Sequence, residues 1–265
     1  MKEAALQCPA WLVMWLLAAC LYFVLKALTL MKAKTSAPAS EITVWLLFCP
    51  TLNLTGFLRK SVAPQGDAHR LAFVGLINFI FGAALLWVAV PCLVQTPMMA
   101  AWVGMVGLVF MLHFGCFHLV TAFWMFMGHA TEPLMKNPMV AGSLAEFWAR
   151  RWNTAFRDAL HLLVFRPVAA RWNAKGAHWL VFLTSGLLHE AVISLPAGAG
   201  WGGPTAYFLL QALGIELSRR LRLRQGVICR LWTLAFLLAP LGLLFHPPFI
   251  HQVILPFLKT IGAMP

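Results

Sequence analysis

Gly176–Pro196 reads GAHWLVFLTSGLLHEAVISLP, with His189 and Glu190 set about two-thirds of the way along it. The run exceeds the roughly 18 apolar residues that mark a membrane-crossing helix. Its one other ionisable side chain is His178, near the start. At ~1.5 Å per residue, His189 lies roughly 20 Å from the Gly176 end. An ionisable side chain at bilayer depth costs a few kcal/mol on insertion scales and by default marks a functional site. The bland alternative is a core histidine bonded to a neighbouring helix. Adjacent helical side chains diverge by about 100°, so Glu190 is expected to tie its helix to a neighbour and not to touch the His189 ring.

The rest of the chain repeats this pattern. It is 61% hydrophobic and 11% charged over 265 residues, far from the roughly one-quarter charged content of soluble domains. Six spans are expected, at about 10–31, 71–94, 98–128, 176–196, 204–218 and 228–246, in an all-α polytopic protein of six to eight spans. Residues 1–265 are taken as one membrane-embedded domain. Leu17-Ala18-Ala19-Cys20 resembles a lipoprotein cleavage box, yet apolar sequence continues to Met31, so a retained first span is expected. Pro50, Asn53 and Thr55 interrupt 43–58, which suggests a re-entrant or interfacial segment.

The net charge of +12 is distributed over alternate loops. Lys32, Lys34, Arg59, Lys60 and Arg70 fall in one such region, and Lys136 through Lys175 in a second. Arg219, Arg220, Arg222 and Arg224 fall in a third, while 95–97 and 197–203 carry no Lys or Arg. The positive-inside rule then puts the basic loops in the cytoplasm, and anionic lipid accounts for the charge without nucleic acid. Six scattered cysteines lack metal or disulfide spacing.

The long basic loop has its own pattern. Ser143 followed by Glu146 is a capping-box signature that starts a helix, and 154–168 has helical apolar spacing ending at Arg166-Pro167. A basic, tryptophan-rich helix of this kind lies in the interface, where anchoring is its simplest role. Asn153 fits anchoring poorly, because a buried amide needs partners. Asp158 and His161 are spaced for a local pair, and Trp172-Asn173 echoes Trp152-Asn153 by chance. His113, Cys116, His118 and His129 invite a metal, but the spacing favours packing or cavity lining.

Glu146-Phe147-Trp148-Ala149-Arg150-Arg151-Trp152-Asn153, followed about 35 residues on by Ser185-Gly186-Leu187-Leu188-His189-Glu190, resembles the membrane-bound O-acyltransferase family. The likeness is to its wax-synthase-like branch, covers roughly 140–195, and rests on both motifs occurring in this order. It implies acyl transfer from acyl-CoA to the hydroxyl of a lipid or long-chain alcohol, with His189 and Asn153 catalytic. Phe147, Trp148, Arg150, Arg151, Trp152, Ser185 and Glu190 are the expected substrate-binding set. No metal and no cofactor are expected beyond acyl-CoA as co-substrate, and a bacterial inner-membrane location is expected with the FWARRWN loop cytoplasmic. Imidazole titrates near working pH and suits a general base for an alcohol. The competing function is a transporter or proton-coupled permease that uses the His-Glu pair as a relay, although no inverted repeat is evident.

Overall fold

The computed structural model describes residues 8–33, 35–60, 65–223 and 226–265. Lys34 and Arg224, both used in the loop-charge argument, lie outside the described residues. The helices follow in chain order as α1 (Ala10–Lys32), α2 (Ala39–Phe48), α3 (Leu54–Leu58), α4 (Asp67–Leu93) and α5 (Pro97–Phe126). The basic loop folds into α6 (144–151) and α7 (154–171). It is followed by α8 (Ala174–Ala197), α9 (Gly203–Arg220), α10 (Val227–Leu244) and α11 (247–260). Among the described residues there is no strand, only an isolated bridge between Lys60 and His129.

Five helices are long and apolar enough to cross a bilayer: α1, α4, α5, α8 and α10. The sequence suggested six. The difference is α9, a continuous 18-residue helix that carries Glu216, Arg219 and Arg220 in its last two turns. Outward side chains such as Phe73, Ile80, Val88, Leu187, Ile228 and Leu231 are apolar and exposed, as contact with lipid tails requires.

Close helix crossings depend on small residues, as membrane packing favours. A Cβ on Gly82 of α4 would lie 2.5 Å from the Met111 amide of α5, so a larger residue cannot sit at that crossing. Leu86, Val90, Ala100, Phe182, Phe208 and Ile250 belong to one buried cluster joining α4, α5, α8, α9 and α11. The α11 segment was not anticipated from the sequence, because prolines at 247, 248 and 256 and His251 obscure its period.

The 43–58 stretch is broken between Cys49 and Asn53, in keeping with Pro50 and Asn53. Asn53 caps α3 by accepting from the Gly56 amide at 3.0 Å. Lys26 of α1 is fully buried here. Its ammonium donates to the carbonyl oxygens of Trp45, Leu46 (3.0 Å) and Cys49 (2.6 Å), and lies 4.4 Å from the centre of the Trp45 ring. Those carbonyls lie at the C-terminus of α2, where a cation is favoured.

Two helix expectations need correction. The 154–168 helix does not stop at Arg166-Pro167 but runs to Arg171. A π-helical turn at His161–Phe165 comes just before the proline, and its wider hydrogen-bonding accommodates a residue with no N–H. The third span ends at Phe126, so His129 is not on it. The His129 Nδ1 instead bonds Phe57 O at 2.8 Å, and its ring stacks on Phe57.

Candidate active site

A cavity of about 790 Å³ opens between α1, α5, α8, α9 and the surface helices α6 and α7. Its walls are mostly apolar, with Leu21, Tyr22, Phe156, Phe182 and Phe208 among them. Its polar lining includes His113, Arg150, Asn153, Arg157, Asp158, His161, His178, Ser185, His189 and Arg219. Of the expected site residues, His189, Asn153, Trp148, Arg150, Trp152 and Ser185 meet on this one cavity. Phe147, Arg151 and Glu190 do not line it.

Each residue of Ser185-Gly186-Leu187-Leu188-His189-Glu190 that the helix turns inward has a distinct job. The His189 Nδ1 lies 2.7 Å from the Ser185 carbonyl oxygen. A carbonyl can only accept, so Nδ1 carries the proton and Nε2 keeps its lone pair. The ring rests against Phe208, with centres 4.4 Å apart, and edge-on to Phe156. A Cβ on Gly186 would fall 2.6 Å from the Thr205 Cα, so glycine is what lets α8 and α9 approach here. Glu190 is buried and turned to α9, where one carboxylate oxygen accepts from both the Thr205 amide and the Thr205 hydroxyl at 3.0 Å. It caps the N-terminus of α9, where a carboxylate is favoured. It is a clamp between helices and not part of the cavity wall.

The upstream motif is folded by local bonds. Ser143 Oγ accepts from the Glu146 amide at 3.1 Å, the capping bond that the spacing implied, and the Glu146 carboxylate reaches back to the Gly142 amide at 2.8 Å. That bond, and after it Arg151, hold the Glu146 carboxyl below the usual carboxylate range. Arg151 pairs with Glu146 and donates to the carbonyls of Lys136 and Asn137, so its guanidinium is committed to tying the loop together. Arg150 is exposed at the cavity mouth. The Phe147 ring stacks on Trp152 from behind (5.5 Å between centres, 14° between planes), and Trp148 Nε1 donates to Gln211 of α9 at 3.3 Å.

Asn153 has two structural reasons to be asparagine. Its φ is +39°, in the left-handed region that asparagine tolerates, and its Oδ1 caps α7 by accepting from the Phe156 amide at 3.2 Å. Among the described residues its Nδ2 makes no hydrogen bond, so the amide N–H₂ remains a donor on the cavity wall.

Other polar expectations resolve differently. Asp158 pairs with Arg157 at 2.9 Å rather than with His161. Burial first, then Arg166 and Arg157, push the His161 imidazole below its ordinary range. Asn173 is not a chance echo, because its Oδ1 caps α8 at the Gly176 amide, 2.7 Å away. His118 bonds the Met135 carbonyl at 3.0 Å. His113, Phe156 and Phe208 are site residues that the motifs did not flag, since each lies outside both.

A second buried Ser-His contact resembles a catalytic pair and is not one. The Ser194 Oγ lies 3.3 Å from the His246 Nε2, while the His246 Nδ1 accepts from the Phe249 amide. Nε2 must therefore carry the proton, and His246 has no lone pair to offer Ser194.

Residues 131–210 match the family described as membrane bound O-acyl transferase. The chain is 32% identical over 157 residues to the long-chain-alcohol O-fatty-acyltransferase of Simmondsia chinensis, a match covering 52% of this chain and 44% of that one. It is 30% identical over 146 residues to the probable long-chain-alcohol O-fatty-acyltransferase 9 of Arabidopsis thaliana, covering 48% and 43%. A third, the probable long-chain-alcohol O-fatty-acyltransferase 2 of the same plant, is 32% identical over 144 residues, covering 48% and 42%. The chain thus spans under half the length of the relatives it matches. With its apolar spans, this is an integral membrane protein, and over residues 131–210 it is similar to the membrane bound O-acyl transferases, with relatives of the long-chain-alcohol O-fatty-acyltransferase kind.

Proposed function

We propose that this protein transfers an acyl group from acyl-CoA to the hydroxyl of a long-chain alcohol or related lipid. The observation that carries this reading is His189: its Nδ1–H is held by the Ser185 carbonyl, so a basic Nε2 is left on a largely apolar cavity with arginines at its mouth.

In the proposed reaction the alcohol O–H gives its proton to His189 Nε2 as its oxygen attacks the thioester carbonyl. The C–O bond forms, the C–S bond breaks, and the imidazolium returns the proton to the departing thiolate. The thiol is a good leaving group, so no cofactor and no covalent enzyme intermediate are needed. The Asn153 N–H₂ is placed to donate to the oxyanion. Arg150, Arg157 and Arg219 suit the phosphates of coenzyme A at the mouth, and the acyl chain and alcohol enter the apolar part. Trp148, Trp152 and Ser185 belong to the substrate wall. We place the FWARRWN loop on the cytoplasmic side of a bacterial inner membrane, where acyl-CoA is made and where the positive-inside rule puts basic loops.

A proton-coupled permease finds no support, because Glu190, the other half of any relay, bonds Thr205 through one oxygen and does not line the cavity. The test is ester formation from radiolabelled acyl-CoA by the purified protein in detergent, offered a series of lipid alcohols. Absence of ester with every acceptor, in protein that binds acyl-CoA, rejects the proposal.

A further inference from the structure

His113 of α5 lies outside both motifs, yet it lines the cavity and its ring stacks on Trp152, with centres 6.1 Å apart and planes 17° apart. Trp152 immediately precedes Asn153. The Nδ1 of His113 is buried with no hydrogen-bond partner, which leaves Nε2 as its accessible nitrogen. A buried N–H without an acceptor is the costlier orphan, so the proton belongs on Nε2 and the lone pair on the enclosed Nδ1. His113 thus presents a donor to the cavity, whereas His189, whose Nδ1–H is held by Ser185, presents an acceptor.

The backbone agrees with a functional position. Val109–Cys116 is a π-helical stretch within an otherwise α-helical span, and such stretches concentrate at functional sites. Six π segments occur among the described residues. The four that contribute side chains to the cavity are Val109–Cys116, Phe147–Arg151, His161–Phe165 and Glu190–Ser194.

Resting on the acyl-transfer reading above, we propose that His113 is a second catalytic donor: its Nε2–H bonds the thioester carbonyl oxygen beside the Asn153 amide. Two donors on the wall of one cavity, next to the Trp152 indole, suit an oxygen that gains negative charge. The single lone pair on His189 suits the hydroxyl that loses its proton. No proton changes place at His113. It polarises the C=O as the C–O bond forms and releases it when the C–S bond breaks.

The test uses the full-length protein in detergent with His113→Phe, which keeps a flat ring against Trp152 and Phe117, and His113→Gln, which restores an N–H. Steady-state ester formation is measured alongside binding of acyl-CoA and of an S-alkyl-CoA thioether, which has no carbonyl. The Phe variant is expected to lose about 100-fold in kcat, in line with removal of one oxyanion donor. Its alcohol KM and thioether affinity should be unchanged, and the Gln variant should recover at least about tenfold. Near-normal kcat in the Phe variant, loss of thioether binding along with kcat, or no recovery by Gln would each overturn the role. Wild-type protein that forms no ester overturns the parent reading and this one together. Wild-type activity with an unimpaired Phe variant overturns this one alone.

Discussion

His189 and His246 are both held by the backbone through Nδ1, in opposite senses. His189 donates from Nδ1 to the Ser185 carbonyl, and His246 accepts at Nδ1 from the Phe249 amide. The first arrangement leaves a lone pair facing a cavity. The second leaves an N–H, and that N–H is used up on Ser194. A serine close to a histidine is therefore no guide to chemistry. The partner on the far nitrogen decides the tautomer, and the tautomer decides whether the ring can take a proton. His246 also occupies the space beside Gly200, whose φ is +79° and whose added Cβ would lie 2.3 Å from the imidazole, so its work is to hold the 198–202 turn.

The sharpest way to break this contrast is His189→Ala. Loss of a general base is expected to lower turnover by ~10²–10⁴-fold while the thermal midpoint in detergent stays close to wild type. Ester formation at the wild-type rate would remove His189 from the chemistry and leave the two histidines alike.

Asn153→Asp should cost ~10²–10³ in kcat. Aspartate tolerates the left-handed backbone and still caps α7, so the substitution removes the donor with little effect on the fold. Alanine is the poorer probe, because it loses the cap and strains at φ +39° as well. An Asp variant with full kcat would make Asn153 a capping residue only.

His246→Ala should do the reverse of His189→Ala. It is expected to cost about 2 kcal/mol of stability by stranding the Phe249 amide and Ser194 hydroxyl, with kcat per folded molecule unchanged. A drop in kcat without a drop in stability would mean that His246 reaches the reaction after all.

The two neighbouring arginines should separate by a smaller margin. Arg150→Gln is expected to raise the acyl-CoA KM several-fold and to leave the alcohol KM alone. Arg151→Gln and Glu146→Gln should mainly lower the unfolding temperature. Glu146 titrates lower in the folded than in the unfolded chain, so its contribution is present above the ordinary carboxylate pKa and fades as pH falls through the folded one. Wild type and Glu146→Gln should therefore converge in thermal midpoint under acid. A constant gap across pH would assign the loop's cohesion to something other than this ion pair.

Much of this was legible in the chain itself. Apolar runs mark all five long helices nearly end to end, and six of the nine residues expected from the two motifs line one cavity. Legibility failed where a residue's role depends on a partner distant in sequence. Arg150 and Arg151 look alike on paper, and only Glu146 folding back separates them. Phe208 and His113 carry no local signature, because the cavity they line is closed by segments spread along the chain from Ala18 to Arg219. Pro167 misled because a π turn can absorb a proline that an α-helix would not, and α9 misled because an apolar stretch was counted before the charges that close it.

Lys26 bears on how the molecule is assembled. When α1 first enters the bilayer the Lys26 ammonium has no carbonyl to bond, and a lysine within a span is unfavourable in hydrocarbon. The acceptors lie at Trp45, Leu46 and Cys49, about twenty residues later in the chain. Docking of the C-terminus of α2 supplies those acceptors, so the order of synthesis brings the partner of Lys26 soon after Lys26 itself.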